Sequence, residues 1–167
     1  MFHLSRLAGA LFILIMVARA NGQEVATTKS IEHVHWPDAP DVWMPYAPAI
    51  KVTGGTAVYL AGVTAAPVYH SHPHRPEEFS SMPRDMEQQA RWALENLKKG
   101  LEAAGATFGD VVTANRYLTN IADQDTLNRV WAEYFGDNKP ATTTFQVVEL
   151  ATDPHCLIEI NAMAVID

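Results

Sequence analysis

The sequence predicts an α+β fold in which two helices cover one face of a mixed β-sheet. Apolar residues recur at intervals of three and four from Asp85 to Ala104, which predicts a long helix. A second helical pattern ends at Phe135, directly before Gly136. Segments typical of β-strands precede, separate and follow these helices, and the last of them, Leu157–Val165, alternates between two sets of side chains.

The first twenty residues differ from the rest. A short basic segment, Phe2–Arg6, leads into the apolar run Leu7–Ala18, and Ala18-Arg19-Ala20 has the small-x-small pattern of a cleavage site. We therefore predict a signal peptide over residues 1–20 and a periplasmic or secreted protein with no stable membrane anchor after cleavage. The alternative is an uncleaved anchor, but a helix that spans a bilayer needs about 20 apolar residues.

A polar N-terminal tail covers residues 21–42 and includes a short first strand at Ile31–Trp36. Two further strands, Ala49–Val52 and Ala57–Ala61, flank the pair Gly54-Gly55. Because two glycines accept positive φ without strain, this pair predicts a β-hairpin between those two strands.

The segment from Val63 to Pro83 is rich in proline and predicts an irregular loop long enough to be functional. It contains His70, His72 and His74, whose side chains would point the same way at intervals of about 6.6 Å in an extended chain. A metal site is one interpretation, and a bend at Pro73 would be needed to bring all three together. A solvated loop is the other.

Beyond the first helix we predict a strand at Val111–Leu118 and a second helix capped by Asp123 or Asp125. A strand at Thr143–Leu150 and the final strand at Leu157–Val165 complete the sheet. One face of the final strand is small and apolar, which predicts core: Ile158, Ile160, Ala162 and Ala164. The other face carries two polar groups among apolar neighbours: Leu157, Glu159, Asn161, Met163 and Val165.

Composition predicts one globular domain, since 48% of the 167 residues are hydrophobic. The net charge is −7 and becomes −9 without residues 1–20, which contain Arg6 and Arg19 but no acid. An acidic surface without clustered basic residues argues against nucleic acid as a partner. The single cysteine, Cys156, cannot form an internal disulfide, and its place beside the core face predicts a buried thiol.

Several segments, in the same order and spacing, resemble the RidA/YjgF family of reactive intermediate deaminases from Trp43 to the end. They are Pro45–Val52, Val58–Gly62, Glu95–Leu97, Ala103–Gly105, Leu127-Asn128, Pro140-Ala141 and the strand Ile158–Val165. The resemblance implies that residues 43–167 form a chorismate-mutase-like domain. It also implies a homotrimer with a central barrel-like core, a cleft for a small molecule at each subunit junction, and no cofactor.

The resemblance further implies an enzyme that hydrolyses enamines and imines to a carbonyl compound and ammonia. It assigns catalytic roles to Glu159, Asn161 and Tyr46, and substrate contacts to Gly62, Asn128, Thr142 and Thr144. Tyr46 has the alternative role of covering the subunit edge, and Asn128 that of a local hydrogen-bonding residue.

Two positions depart from the family pattern. Thr142 stands where the family has an arginine that binds a carboxylate, and Asn161 stands where it has a second glutamate. Losing the arginine would cost about 1.5–3 kcal/mol for a carboxylated ligand, so we expect a substrate other than a simple α-carboxylate imine. Arg75 or a loop histidine could replace the missing charge. The alternative function is a binding protein of the same fold without turnover.

Overall fold

The computed structural model describes residues 28–39 and 42–167; the predicted signal peptide lies outside this part of the chain. The regular elements, in chain order, are β1 (Ser30–Val34), β2 (Ala49–Thr53), β3 (Thr56–Thr64), α1 (Met86–Ala103), β4 (Val111–Leu118), α2 (Gln124–Phe135), β5 (Ala141–Gln146) and β6 (Ile158–Ile166). Within the described residues, neither helix is both long and apolar enough to cross a membrane.

The main sheet has four strands in the order β3-β6-β4-β5. β6 runs antiparallel to both of its neighbours, whereas β4 and β5 are parallel. α1 contacts β3, β6 and α2, so the helices form one layer on one face of the sheet. The predicted α+β architecture with a mixed sheet is therefore confirmed.

The core lies between this helical layer and the sheet. The predicted core face of β6 is buried throughout, from Ile158 to Ala164, and the apolar stripe of α1 packs on it through Leu94, Leu97 and Leu101. These three leucines have no solvent exposure. The opposite face of β6 receives no helix, and Glu159 and Asn161 there are only half-buried.

The predicted hairpin between the second and third strands is wrong. β2 pairs with β1 in a separate two-stranded antiparallel sheet, with Ser30 opposite Thr53, and β3 pairs with β6 instead. Gly54 and Gly55 both have positive φ, 66° and 75°, but they bend the chain between two sheets. The physical reason is burial. β3 gains a partly apolar neighbour in β6, whereas β2 is largely exposed and forms its backbone hydrogen bonds with β1.

The ends of α1 and the C-terminal end of α2 agree with their sequence signals, whereas the predicted capping bond at the start of α2 does not form from Asp123. Asp85 caps α1 by accepting a hydrogen bond from the Gln88 backbone N–H at 3.0 Å, and Gly105 follows with φ of 73°. Asp123 precedes α2 but makes no capping bond through its side chain, and Gly136 follows with φ of 54°. Both helices therefore hold fixed positions against the strands that carry the candidate site.

Candidate functional site

The site residues predicted from the sequence fall into two groups. The sheet-face group lies on β3 and β6, on the side that no helix covers: Gly62, Glu159 and Asn161. The strand-edge group lies on or beside β5, at the end of the sheet: Tyr46, Asn128, Thr142 and Thr144. No side-chain hydrogen bond between described residues joins the two groups. We refer to the sheet-face group as the first half-site and to the strand-edge group as the second.

Glu159 and Gly62 are in direct contact within the sheet-face group. A break in the β3–β6 register between Leu60 and Val63 brings Gly62 against the glutamate. A Cβ atom at position 62 would lie 2.0 Å from Glu159 Oε1, so a larger residue there would displace the carboxylate from its present position. Glu159 is half-buried and makes no side-chain hydrogen bond to a described residue, which leaves both of its oxygens free for a ligand or water.

Asn161 lies two residues further along the same face. It is opposite Asn115 in the β4–β6 register. The two side chains, with Tyr59 and Met163, line a shallow cavity of 230 Å³. Two neutral amides can orient a water molecule here, but neither can accept its proton near neutral pH.

The strand-edge group is organised by Arg116, a residue that the sequence analysis did not single out. Its Nε and Nη2 donate to Thr144 Oγ1 at 3.0 and 2.6 Å, and its Nη1 donates to Asn128 Oδ1 at 2.9 Å. The guanidinium carbon lies 5.0 Å from the ring centre of Trp131. Arg116 thus joins β4, β5 and α2 through two residues predicted to contact substrate.

Arg116 is also a buried cation without a described carboxylate partner. It is 7% exposed, and its side-chain bonds go only to the threonine and the asparagine. A guanidinium has five N–H groups, so these three bonds leave two without an acceptor among the described residues. Burial lowers the pKa of Arg116 to about 10, and the group is therefore still charged at neutral pH.

A second unused donor lies next to this guanidinium. Trp131 Nε1 is buried and has no hydrogen-bond partner among the described residues. Trp131 and Asn128 line a cavity of 290 Å³, whose charged lining residues are Asp125 and Lys139. A buried donor without an acceptor is costly, and Trp131, which carries one, is among the residues that line this cavity.

Tyr46 and Thr142 flank this arrangement. The backbone N–H of Ala47 donates to Lys139 O at 3.1 Å, which holds the segment containing Tyr46 beside the start of β5. The neighbouring Pro45 lines the 290 Å³ cavity. Thr142 donates its hydroxyl to Pro140 O at 2.9 Å, so this side chain is directed to its own backbone. Their roles toward substrate stay predictions.

Arg75, the arginine predicted from the sequence to supply positive charge, is engaged within its own loop. It pairs with Glu78 at 2.8 Å and donates to Ser71 Oγ at 3.0 Å. Its side chain is largely exposed. The arginine that the structure places beside Thr144 is Arg116, and Arg75 as a substrate contact stays a prediction.

The loop that contains Arg75 also borders the sheet-face group. A cavity of 860 Å³ is lined by Gly62, by His70 from the loop and by Lys99 from α1. Gly62 in turn adjoins Glu159, which does not itself line this cavity. The loop therefore forms part of the surroundings of the first half-site.

Cys156 is buried, as predicted. It is 1% exposed and its Sγ lies 3.8 Å from Met82 Sδ. Burial raises the pKa of its thiol, which disfavours the reactive thiolate. Cys156 therefore belongs to the core and not to the candidate site.

The position of Arg116 in β4 carries a sequence signal, but its partners do not. The sequence Val-Val-Thr-Ala-Asn-Arg-Tyr-Leu of β4 places it in phase with Ala114 and Leu118, on the buried face. An arginine at an inward position of an otherwise apolar strand is a signal, because an unpaired charge is rarely buried. Its partners could not be identified from the sequence, since they depend on the β4–β5 pairing and on where α2 crosses it.

Comparisons with known proteins agree with this architecture. The model of the family described as Endoribonuclease L-PSP matches residues 37–166. A RutC family protein of Pyrococcus horikoshii is 38% identical over 76% of this chain and 91% of its own length. Reactive Intermediate Deaminase A of Arabidopsis thaliana, a chloroplast protein, is 32% identical over 83% of this chain and 68% of its own.

Solved structures show the same likeness. The Rid family protein YyfB of Yersinia pestis is 25% identical, with a TM-score of 0.64 over 81% of this chain and 98% of its own. Rv2704 of Mycobacterium tuberculosis, a member of the YjgF/YER057c/UK114 family, is 29% identical, with a TM-score of 0.54. That match covers 82% of this chain and all of the other.

Proposed function

The chain belongs to the Endoribonuclease L-PSP family, which includes the RidA/YjgF reactive intermediate deaminases, and on this premise we propose that it is an enamine/imine hydrolase that releases ammonia. The observation that carries the proposal furthest is the pair of half-sites. One offers a free glutamate carboxylate beside Gly62, and the other offers a buried guanidinium held by Asn128 and Thr144.

The chemistry requires little from the protein. The carbon of a protonated imine is already electrophilic, so a positioned water and an acceptor for its proton are sufficient. Glu159 would accept a proton from water as the oxygen attacks that carbon, which gives a carbinolamine. Return of that proton to nitrogen makes ammonia the leaving group. As the C–N bond breaks, Glu159 takes the proton of the carbinolamine hydroxyl, and the products are a carbonyl compound and ammonia, which then leaves with that proton as ammonium.

The absence of an arginine at position 142 argued against a carboxylated substrate, and Arg116 weakens that argument. Thr142 cannot bind a carboxylate as a guanidinium does, but a guanidinium from the neighbouring strand lies beside Thr144, two residues further along β5. Its two unused N–H groups would pair with an anionic group of the substrate. We therefore propose an imine or enamine that carries a carboxylate, bound through Arg116.

We infer that a second copy of the chain would complete the site. β5 lies at an edge of the sheet, and the sheet face with Glu159 has no helix over it. We propose a homotrimer in which the sheet-face group of one subunit meets the strand-edge group of its neighbour. This assembly would place Glu159 and Arg116 on opposite sides of one cleft and would exclude bulk water from it.

The test is ammonia release from imines generated in place. The untagged protein is supplied with two matched series, one from amino acids and one from the corresponding neutral amines, and ammonia is measured above the spontaneous rate. We expect acceleration for the carboxylated series and little for the neutral one. Acceleration with neither series would refute the hydrolase and leave the binding protein without turnover as the function.

Matched variants separate the two roles. Glu159→Gln removes the proton acceptor while keeping the shape, so kcat should fall by about 10²–10⁴-fold. Glu149→Gln, at an exposed acid outside both half-sites, should leave the rate unchanged. Equal rates for Glu159→Gln and the wild type would remove Glu159 from the mechanism even if the protein proves to be a hydrolase.

The family description also mentions an endoribonuclease, which we do not propose for this chain. Binding to RNA depends on clustered lysine and arginine, and this chain has 12 basic against 19 acidic residues. Arg91, an arginine on the surface of α1, is paired with Glu87 and Glu133. The charge distribution therefore favours a small-molecule substrate.

We also propose that the protein works outside the cytoplasm, because residues 1–20 have the pattern of a signal peptide. Mass spectrometry of protein recovered from the envelope or the medium should find Asn21 as the first residue. A protein that retains residues 1–20 and stays in the cytoplasm would contradict export.

A further inference from the structure

The loop between β3 and α1 brings three histidines into one cluster. The ring centres of His70, His72 and His74 form a nearly equilateral triangle with sides of 5.0, 4.9 and 4.8 Å. One ligating atom from each residue lies within 4.8 Å of the others. The chain therefore has the bend at Pro73 that a site with all three histidines needs.

His70 is already oriented as a metal ligand would be. Its Nδ1 lies 2.8 Å from Pro67 O, and because a carbonyl oxygen only accepts, Nδ1 must carry the proton. The lone pair of the neutral ring is then on Nε2. Histidines that bind metals usually donate their other ring N–H to a carbonyl or carboxylate in this way.

His74 provides an independent observation. Its Nε2 is buried and has no hydrogen-bond partner among the described residues. A buried polar nitrogen without a partner destabilises a folded protein, so such atoms usually have a role. A cation at the centre of the triangle would give this nitrogen a partner.

Apart from the bond of His70 to Pro67 O, the loop is held in place by groups other than the imidazole nitrogens. Glu78 accepts bonds from the backbone and hydroxyl of Ser71 and from the Arg75 guanidinium. The bond from Arg75, followed by that from Ser71, lowers the pKa of Glu78 to about 2. Phe79 packs edge-on against His70 and His74. The scaffold therefore fixes three rings whose remaining nitrogens are available for ligation.

We propose that His70, His72 and His74 bind one divalent transition metal ion, with zinc as the first choice. Imidazole suits zinc, copper and nickel, and three protein ligands on zinc leave a fourth position open for water or substrate. Ligation at about 2.0–2.1 Å requires the rings to move inward from their present separation. His70 also lines the 860 Å³ cavity with Gly62, so the metal would lie beside the first half-site.

The test is a calorimetric titration of the untagged, metal-free protein with zinc chloride. We expect one zinc per chain, and substituting cobalt should give the visible absorption typical of a four-coordinate nitrogen site. The exposed ligand is substituted first, because His72→Ala removes little packing. Its affinity should fall by about tenfold or more relative to the wild type.

His155→Ala is the matched control, since His155 is exposed and paired with Asp153 outside the loop. It should bind zinc with the same stoichiometry and affinity as the wild type. No zinc binding by the wild type, or equal binding by His72→Ala and the wild type, would overturn the proposal. Thermal unfolding with and without zinc gives a second readout, and the rise in Tm should be clearly smaller in His72→Ala than in the wild type.

Discussion

Arg116 is the residue on which the proposed substrate class depends. Its guanidinium is buried, charged at neutral pH and bonded only to neutral acceptors, Thr144 and Asn128. Desolvating an unpaired charge costs free energy, so a side chain kept only for stability would be apolar at this position. A functional role accounts for a cation that packing does not require.

Arg116→Met separates function from stability. Methionine fills a similar volume without a buried charge, so we expect the free energy of unfolding to be unchanged or higher. For carboxylated imines, kcat/KM should fall by about one to two decades, mainly because KM rises. Urea unfolding and steady-state kinetics measure the two effects. A variant that unfolds more readily while keeping its KM would mean that Arg116 is structural.

Gly62 is required by the closeness of Glu159. A methyl group at position 62 would collide with the carboxylate at 2.0 Å, so Gly62→Ala should displace Glu159. We expect kcat to fall nearly as far as in Glu159→Gln. Gly109→Ala is the matched control, because the nearest atom to its new methyl would be Thr107 Oγ1 at 3.4 Å. Equal kcat for the two alanine variants would contradict this account.

At the scale of elements, α1 positions the loop that precedes β6 through Gln89. This buried side chain donates to Pro83 O and His155 O and accepts from the Leu157 N–H, all at 2.7 Å. The contacts fix the chain two residues before Glu159. The orientation of the candidate base therefore depends on a helix on the other side of the sheet.

Gln89→Ala should lower the free energy of unfolding by about 2–3 kcal/mol, because it leaves buried backbone groups without partners. Gln88→Ala, one residue earlier and exposed, should cost less than about 1 kcal/mol. Urea unfolding of both variants provides the comparison. Similar losses in the two variants would mean that the buried bonds of Gln89 are not the source of the effect.

The elements differ in how far the sequence determined them. The periodicity of α1 and α2 and the alternation of β4 and β6 reflect burial on one face, which is a local pattern, and these predictions are confirmed. The predicted pairing of β2 with β3 was wrong because both β1 and β3 could have paired with β2. Burial of β3 against the distant strand β6 decided the choice. Arg116 was missed for the same reason, since its partners come from β5 and α2.

At the scale of the whole molecule, a single chain leaves one sheet face uncovered. Large side chains on this face are exposed, with Tyr59 at 80% and Phe145 at 43%, and Tyr117 stacks on Phe145. Such a surface suits burial against further copies of the chain. Analytical ultracentrifugation should find three copies per particle, and a stable monomer at micromolar concentration would contradict the proposed trimer.

The central claim is that each active cleft combines Glu159 of one subunit with Arg116 of its neighbour, and mixing two impaired variants at a substrate concentration well below KM tests it most directly. Glu159→Gln and Arg116→Met are dissociated together, reassembled, and assayed for hydrolysis of a carboxylated imine. In random mixed trimers about one quarter of the clefts would contain both native residues, so activity should return to about a quarter of the wild-type rate. Mass spectrometry under native conditions confirms that subunits have exchanged. Mixed trimers with no more activity than the two parent variants would contradict the shared cleft.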